Sequence, residues 1–195
     1  LDAGAIDSGV PTGAMTLIKT LTASNSATLD FLNGTSSVVF DGTYDAYVFK
    51  FINIHPITNA TDFTFQADTG TNTNYNQTMT TTAFRAIHSE DNSAAVLNYD
   101  GGRDQAQGTA FQKLAHEIGN GNDECAIGEL TIFSPSSGTF VKHFMAEVNI
   151  YASADHSENK FIAGYFNTTT ALTRVRFKMS SGNIDSGIIK LYGIK

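Results

Sequence analysis

The stretch of this chain nearest to a catalytic motif is His116-Glu117-Ile118-Gly119-Asn120. Two histidines one helical turn apart, with a glutamate between them, bind zinc on one helix face and activate a water. Here the fifth position is Asn120 rather than histidine, and Gly119 and Gly121 would break the helix that the spacing needs. A polar strand end entering a loop accounts for the same residues, and no metal is expected there. His88, Glu90 and Asp91 form a second group, and Asp155, His156 and Glu158 a third. Both lie in stretches that read as loops, where charged side chains are ordinarily solvated. Asn120-Gly121-Asn122-Asp123-Glu124 comes nearest to a calcium loop but lacks the alternating acidic ladder of such sites.

Nucleophiles are no better placed. No serine sits in a G-x-S-x-G elbow. The only cysteine, Cys125, stands beside Glu124 and Asp123, whose charge opposes the thiolate that a nucleophile requires. It reads as a small buried residue at a strand start. Gly101-Gly102 lacks the lysine that follows a phosphate loop. No catalytic, cofactor-binding or metal-binding residue is therefore expected, and the chain reads as a non-enzyme. A sugar or partner contact is harder to dismiss, because lectin-like sites use exposed aromatics among Asn and Asp. Tyr75, Tyr99 and Tyr151 are the candidates. Against this stands the commoner role of tyrosine at strand ends, capping the core with a wet hydroxyl.

The totals set limits on partners. With 195 residues, 12 basic and 19 acidic side chains and a net charge of −7, the chain repels phosphate backbones, so nucleic acid is not an expected partner. No apolar run reaches the ~20 residues of a membrane helix. The first residue is Leu1, which reads as the start of a processed product or a fragment.

The elements that must position these residues are strands. Asp62-Phe63-Thr64-Phe65-Gln66, Glu129-Leu130-Thr131-Ile132 and Arg174-Val175-Arg176-Phe177-Lys178-Met179 alternate with period two, so each is expected to have one dry and one wet face. Tyr47–Ile52 and Phe161–Phe166 are apolar on both faces and read as central strands, covered on their second side by another sheet or by a partner subunit. Thr139–Tyr151 reads as one long strand whose Phe144, Ala146, Val148 and Ile150 share a face, and Gly187–Ile194 as a final strand pinned into a sheet. Helix signals are weak. Tyr75–His88 is a Thr-rich helix candidate, and Ala110–Ile118 reads as strand. Residues 1–14, with Gly4, Gly9, Pro11 and Gly13, form an expected flexible arm or linker ahead of a single domain over residues 15–195. The fold expected is all-β, an antiparallel two-sheet sandwich of jelly-roll type.

Several of these phrases together resemble a family. Met15-Thr16-Leu17-Ile18-Lys19-Thr20-Leu21-Thr22-Ala23-Ser24 and Gly42-Thr43-Tyr44-Asp45-Ala46-Tyr47-Val48-Phe49 are similar to the opening of virion structural proteins of tailed bacteriophages, those of marine and cyanobacterial phages in particular. Phe161–Thr169 and the closing Gly187-Ile188-Ile189-Lys190-Leu191-Tyr192-Gly193 phrase extend the resemblance over most of the chain from Met15. It implies a location in the virion, as capsid decoration or part of a tail appendage. The implied partners are other virion proteins and copies of the chain itself, a trimer being favoured, with a host-surface glycan as a further contact. It brings no catalytic residues. On this reading the Gly-rich arm would be an attachment strap. The competing expectation is a carbohydrate-binding module of a secreted protein, and a hydrolase ranks behind both.

Overall fold

A computed structural model describes residues 15–195, so the expected arm over residues 1–14 lies outside the described residues. Thirteen strands follow one another: β1 Thr16–Ser26, β2 Leu29–Leu32, β3 Ala46–Pro56, β4 Thr61–Thr69, β5 Met79–Ser89, β6 Ala95–Tyr99, β7 Gln105–Gly108, β8 Gln112–Ile118, β9 Ala126–Phe133, β10 Lys142–Ala152, β11 His156–Phe166, β12 Leu172–Met179 and β13 Ile184–Ile194. The protein is all-β. Every pairing is antiparallel, and the described residues contain no helix.

Hydrogen bonding joins the strands into two runs. The longer is β1-β13-β3-β9-β10-β11-β5, with β6 and β7 both pairing to β5. The shorter is β8-β4-β12-β2, and a single bridge, Ala152 to Ile118, links the two through β10 and β8. Alternation explains the strands. Along β10, Phe144, Ala146, Val148 and Ile150 are buried while His143, Met145 and Glu147 point out. At Gly128 the backbone has positive φ, and an added Cβ would collide with the Glu147 carbonyl oxygen, so only glycine lets β9 run so close to β10 there.

The inward faces of the two runs meet through phenylalanines. The Phe177 ring of β12 lies 5.2 Å from Phe49 and 5.4 Å from Phe51 on β3, 5.8 Å from Phe63 on β4, and 6.1 Å from Phe31 on β2. Phe65 of β4 meets Phe144 of β10 at 5.1 Å and Phe166 of β11 at 6.0 Å. Most of these pairs are edge-to-face, the arrangement that ring quadrupoles favour.

Two expectations are corrected. The Thr-rich candidate helix Tyr75–His88 is a loop followed by β5, whose eleven residues pair without a break to β11. The β-branched Thr80, Thr81 and Thr82 suit that pleated surface better than a helix. The polar side of β4 is not wet either. Asp62, Thr64, Gln66 and Asp68 are all buried. The Gln66 amide donates to the carbonyls of Gln77, Thr109 and Ala110 at 3.0, 3.2 and 3.2 Å, and Asp68 accepts from the Tyr75 N–H at 2.9 Å. These bonds hold the segments after β4 and before β8 over the outside of the shorter run. The β12 cations close the cover rather than pointing freely to solvent. Arg176 lies 4.0 Å over the Tyr75 ring and pairs with Asp30 at 2.8 and 2.6 Å, while Lys178 lies 4.6 Å over Phe111. Ala110–Ile118 contains strand β8 as expected, and β13 runs to Ile194 between β1 and β3.

Because Phe177 is fully buried and touches rings from three other strands, Phe177→Ala removes the centre of the core. The expected cost is about 3–5 kcal/mol in denaturant unfolding. A loss below about 1 kcal/mol would mean that the two runs are not held together there.

Candidate interaction surface

The shorter run is covered on its outer side, whereas among the described residues the longer run is largely open. Across it, cross-strand register places eight outward side chains in a single row: Tyr99 (β6), Phe84 (β5), Phe161 (β11), Glu147 (β10), Glu129 (β9), Lys50 (β3), Lys190 (β13) and Thr20 (β1). Three aromatics are followed by two acids, two bases and a threonine. Phe84 and Phe161 stack at 4.8 Å and 12°. Lys50 forms an ion pair with Glu129, and Asn159 donates to Glu147 at 2.9 Å. Lys190 has no ion-pair partner among the described residues.

Apolar side chains flank the row. On one side Ala163, Met145, Thr131, Val48, Tyr192 and Leu17 form the next outward row. Met145 is 59% exposed, and Phe133 beside it lines a mainly apolar groove with His143 and Tyr165. On the other side stand Ile127, Ile52 and Leu97, the last 75% exposed. Single exposed apolar residues are ordinary; here Met145 stands by Phe133 and Ile127 by Ile52, while Leu97 is set apart from them by Ala86, Asn159 and Asn149.

The three candidate tyrosines do not come together. Tyr99, 57% exposed, belongs to the row, and its hydroxyl donates to Asp104, a bond that raises its pKa above the ordinary value. Tyr151 is half-buried at the end of β10, where desolvation and a hydrogen bond to Glu90 raise its hydroxyl pKa. Tyr75 is 3% exposed beneath Arg176 and cannot serve as an exposed sugar contact; burial is the main cause of its raised pKa. The expectation rests on an aromatic set among Asn74 and Asn76, and the hydrogen bonds from β4 that bury this segment have no local signature in sequence.

Behind the aromatic end of the row, on the inward face, lies a buried set of charges that sequence reasoning missed. Lys160 Nζ sits 3.1 Å from Asp100 and 3.0 Å from Glu158, and Arg85 reaches Glu158 at 3.1 Å. Burial pushes the Asp100 carboxyl up, but Lys160, Arg103 and Arg85 outweigh it and hold the carboxyl below its usual range. Lys160 and Glu158 occupy the inward positions of β11, two residues apart, so alternation alone could have flagged them as buried ions needing partners.

His116 lies next to this set. Arg103 hydrogen-bonds its Nε2, which makes that nitrogen an acceptor, and Asp62 lies 3.8 Å away. Its hydrogen-bond and ion-pair partners among the described residues are Arg103, Asp62 and Glu117. Cys125 is half-buried at the start of β9, and burial raises its pKa. His88 bonds Asn92 at 3.2 Å, Asp91 accepts from the Ser93 N–H, and Glu158 turns inward, away from Asp155 and His156. No group of three or more His, Cys, Asp or Glu among the described residues is arranged to hold a metal.

Two outcomes follow for the buried charges. Lys160→Met removes the fully buried cation between Asp100 and Glu158, leaving Arg85 at 3.7 and 3.1 Å from them, and is expected to cost about 3 kcal/mol; a neutral effect in chemical unfolding would mean that Arg85 alone satisfies both carboxylates. Burial, the largest influence on His116, and the nearby Arg103 and Lys160 depress its pKa below 6.5, although Asp62 and Glu117 pull it up. Just below pH 6.5 the unfolded chain therefore binds more protons than the folded one, so stability present above that pH is lost as the pH falls toward the folded value. Melting curves from pH 7.5 to 5 should show this decline, and His116→Gln should flatten it.

No protein-family model matches the chain, no curated protein matches its sequence, and no solved structure matches its fold, so the phage resemblance rests on the strand phrases that carry it.

Proposed function

We propose that this protein is a non-enzymatic virion structural component of a tailed phage, decorating the capsid or forming part of a tail appendage, and that it works by protein–protein assembly. The observation that favours this reading most is the outer face of the longer run. It offers in-register aromatics and charges with exposed Met145, Leu97, Ile127 and Phe133 around them, and a broad surface of that kind is suited to binding another surface. The phage-like strand phrases supply the location. In this reading the two runs are the layers of a jelly-roll-like sandwich, with the Phe177 cluster between them, and the virion is where the chain resides.

A second reading, a carbohydrate-binding module, is favoured by one feature. Tyr99 and the Phe84–Phe161 stack stand near Asn149 and Asn159 on one face, and aromatic platforms beside amide groups bind sugar rings. A host-surface glycan is compatible with both readings.

Antibodies against the domain, used as labels on purified phage particles in electron microscopy, separate the two. Labelling at a fixed place on head or tail is expected. Unlabelled particles, combined with glycan binding that Tyr99→Ala abolishes, would replace the virion reading with the sugar-binding one.

A further inference from the structure

We propose that the outer face of the longer run pairs with the same face of a second copy of this chain, about a two-fold axis that lies in the interface, parallel to the strands and midway between β3 and β9. The proposal rests on the order of charges in the cross-strand row. Read from β10 to β13, that order is Glu147, Glu129, Lys50, Lys190. Like charges directly opposite on neighbouring strands destabilise a sheet, and this row contains two such placements, Glu147 beside Glu129 and Lys50 beside Lys190. Only the central Lys50–Glu129 pair is satisfied within the chain.

Rotation about the proposed axis reverses the row while keeping its level along the strands. Glu147 then faces Lys190 of the second copy, and Glu129 faces Lys50 of the second copy. Each acid–acid neighbour pair comes to lie over a base–base pair, so the placements that are unfavourable in one chain become complementary in two. The rows on either side fit the same operation. Ile127 faces Ile52 of the second copy, Met145 faces Tyr192, and Ala163 faces Leu17. Apolar contacts supply the attraction and the charges set orientation, the usual division between the two in an interface.

The extent is sufficient. Three strands on each side of the axis (β11, β10 and β9; β3, β13 and β1) give six strands at roughly 4.8 Å spacing and about ten residues of roughly 3.3 Å, a face of roughly 800–900 Å². A stable interface needs ~800 Å² per partner. A row that is complementary to its own reverse is what an isologous contact requires, whereas a trimer needs two different patches that match each other. The pairing therefore replaces the trimer expected from the sequence with a dimer. It shares with the assembly reading only the premise that this face is a contact surface, and would hold for a dimer outside a virion.

Charge reversal tests it. Lys50→Glu/Lys190→Glu makes the four positions all acidic, and Glu129→Lys/Glu147→Lys makes them all basic. Light scattering of the native chain should give twice the 20.9 kDa of one chain. Each double variant alone should fall to a single chain while keeping the native circular dichroism, with a lower melting temperature because like charges now stand opposite one another along the row. An equimolar mixture of the two should return to the dimer mass. Should either double variant fail to fold, Ile127→Arg, a single exposed change beside the axis, should dissociate the native dimer. A native chain that is monomeric or trimeric, folded variants that remain dimeric, or a mixture that does not recombine would overturn the pairing. A monomer that still labels phage particles would leave the virion reading standing without it.

Discussion

The constraint from which the rest of this structure follows is strand alternation against a core of phenylalanines. Every second residue of β3, β4, β10 and β12 must point at the Phe177 cluster, because rings from both runs meet there. Once those residues are fixed inward, the intervening residues have no choice of side. On the shorter run the leftover positions of β4 are Asp62, Thr64, Gln66 and Asp68, which would be unremarkable in water. They are buried because neighbouring loops fold over them, and the Gln66 amide and Asp68 carboxylate hold those loops by hydrogen bonds that each buried polar group needs in any case.

On the longer run the same constraint produces the opposite result. Among the described residues its outward side chains stay largely open, Val48 excepted, and form rows that face solvent or a partner. Cross-strand register then turns residues far apart in sequence into neighbours: Lys50, Glu129, Glu147 and Lys190 come from four strands and reach one line. Their order has no meaning along the chain. It acquires one only when β3 and β9 pair between β13 and β10.

The buried charges show the cost of a polar interior and how it is met. Lys160 and Glu158 sit where alternation demands inward residues, and Asp100 and Arg85 are brought from the β5–β6 region to face them. A buried ion pair adds little net stability when complete, yet removal of one member strands the other. Arg103, beside Asp100 and hydrogen-bonded to His116, ties this cluster at the far end of the longer run to β8. His116, whose pKa is lowered chiefly by burial, accepts from Arg103 at the edge of this cluster.

Much of the architecture was legible from sequence, because period-two alternation is a local property. The all-β class, the central place of Tyr47–Ile52, the shared face of Phe144, Ala146, Val148 and Ile150, and the C-terminal strand all follow from residue types and their spacing. What escaped was everything that depends on a second segment arriving from elsewhere. Tyr75 reads as exposed until β4 and Arg176 cover it, the Thr-rich stretch before His88 reads as a poor helix until β11 offers it a partner, and the acidic side of β4 reads as wet until two loops close over it. The charged row is the same case. Composition by itself determined that the chain forms amphipathic strands with a phenylalanine face, since burial of that face dominates the free energy. Only the tertiary structure decided which polar residues stand side by side, because strand order and register are set by contacts between residues as far apart in sequence as Thr16 and Gly193.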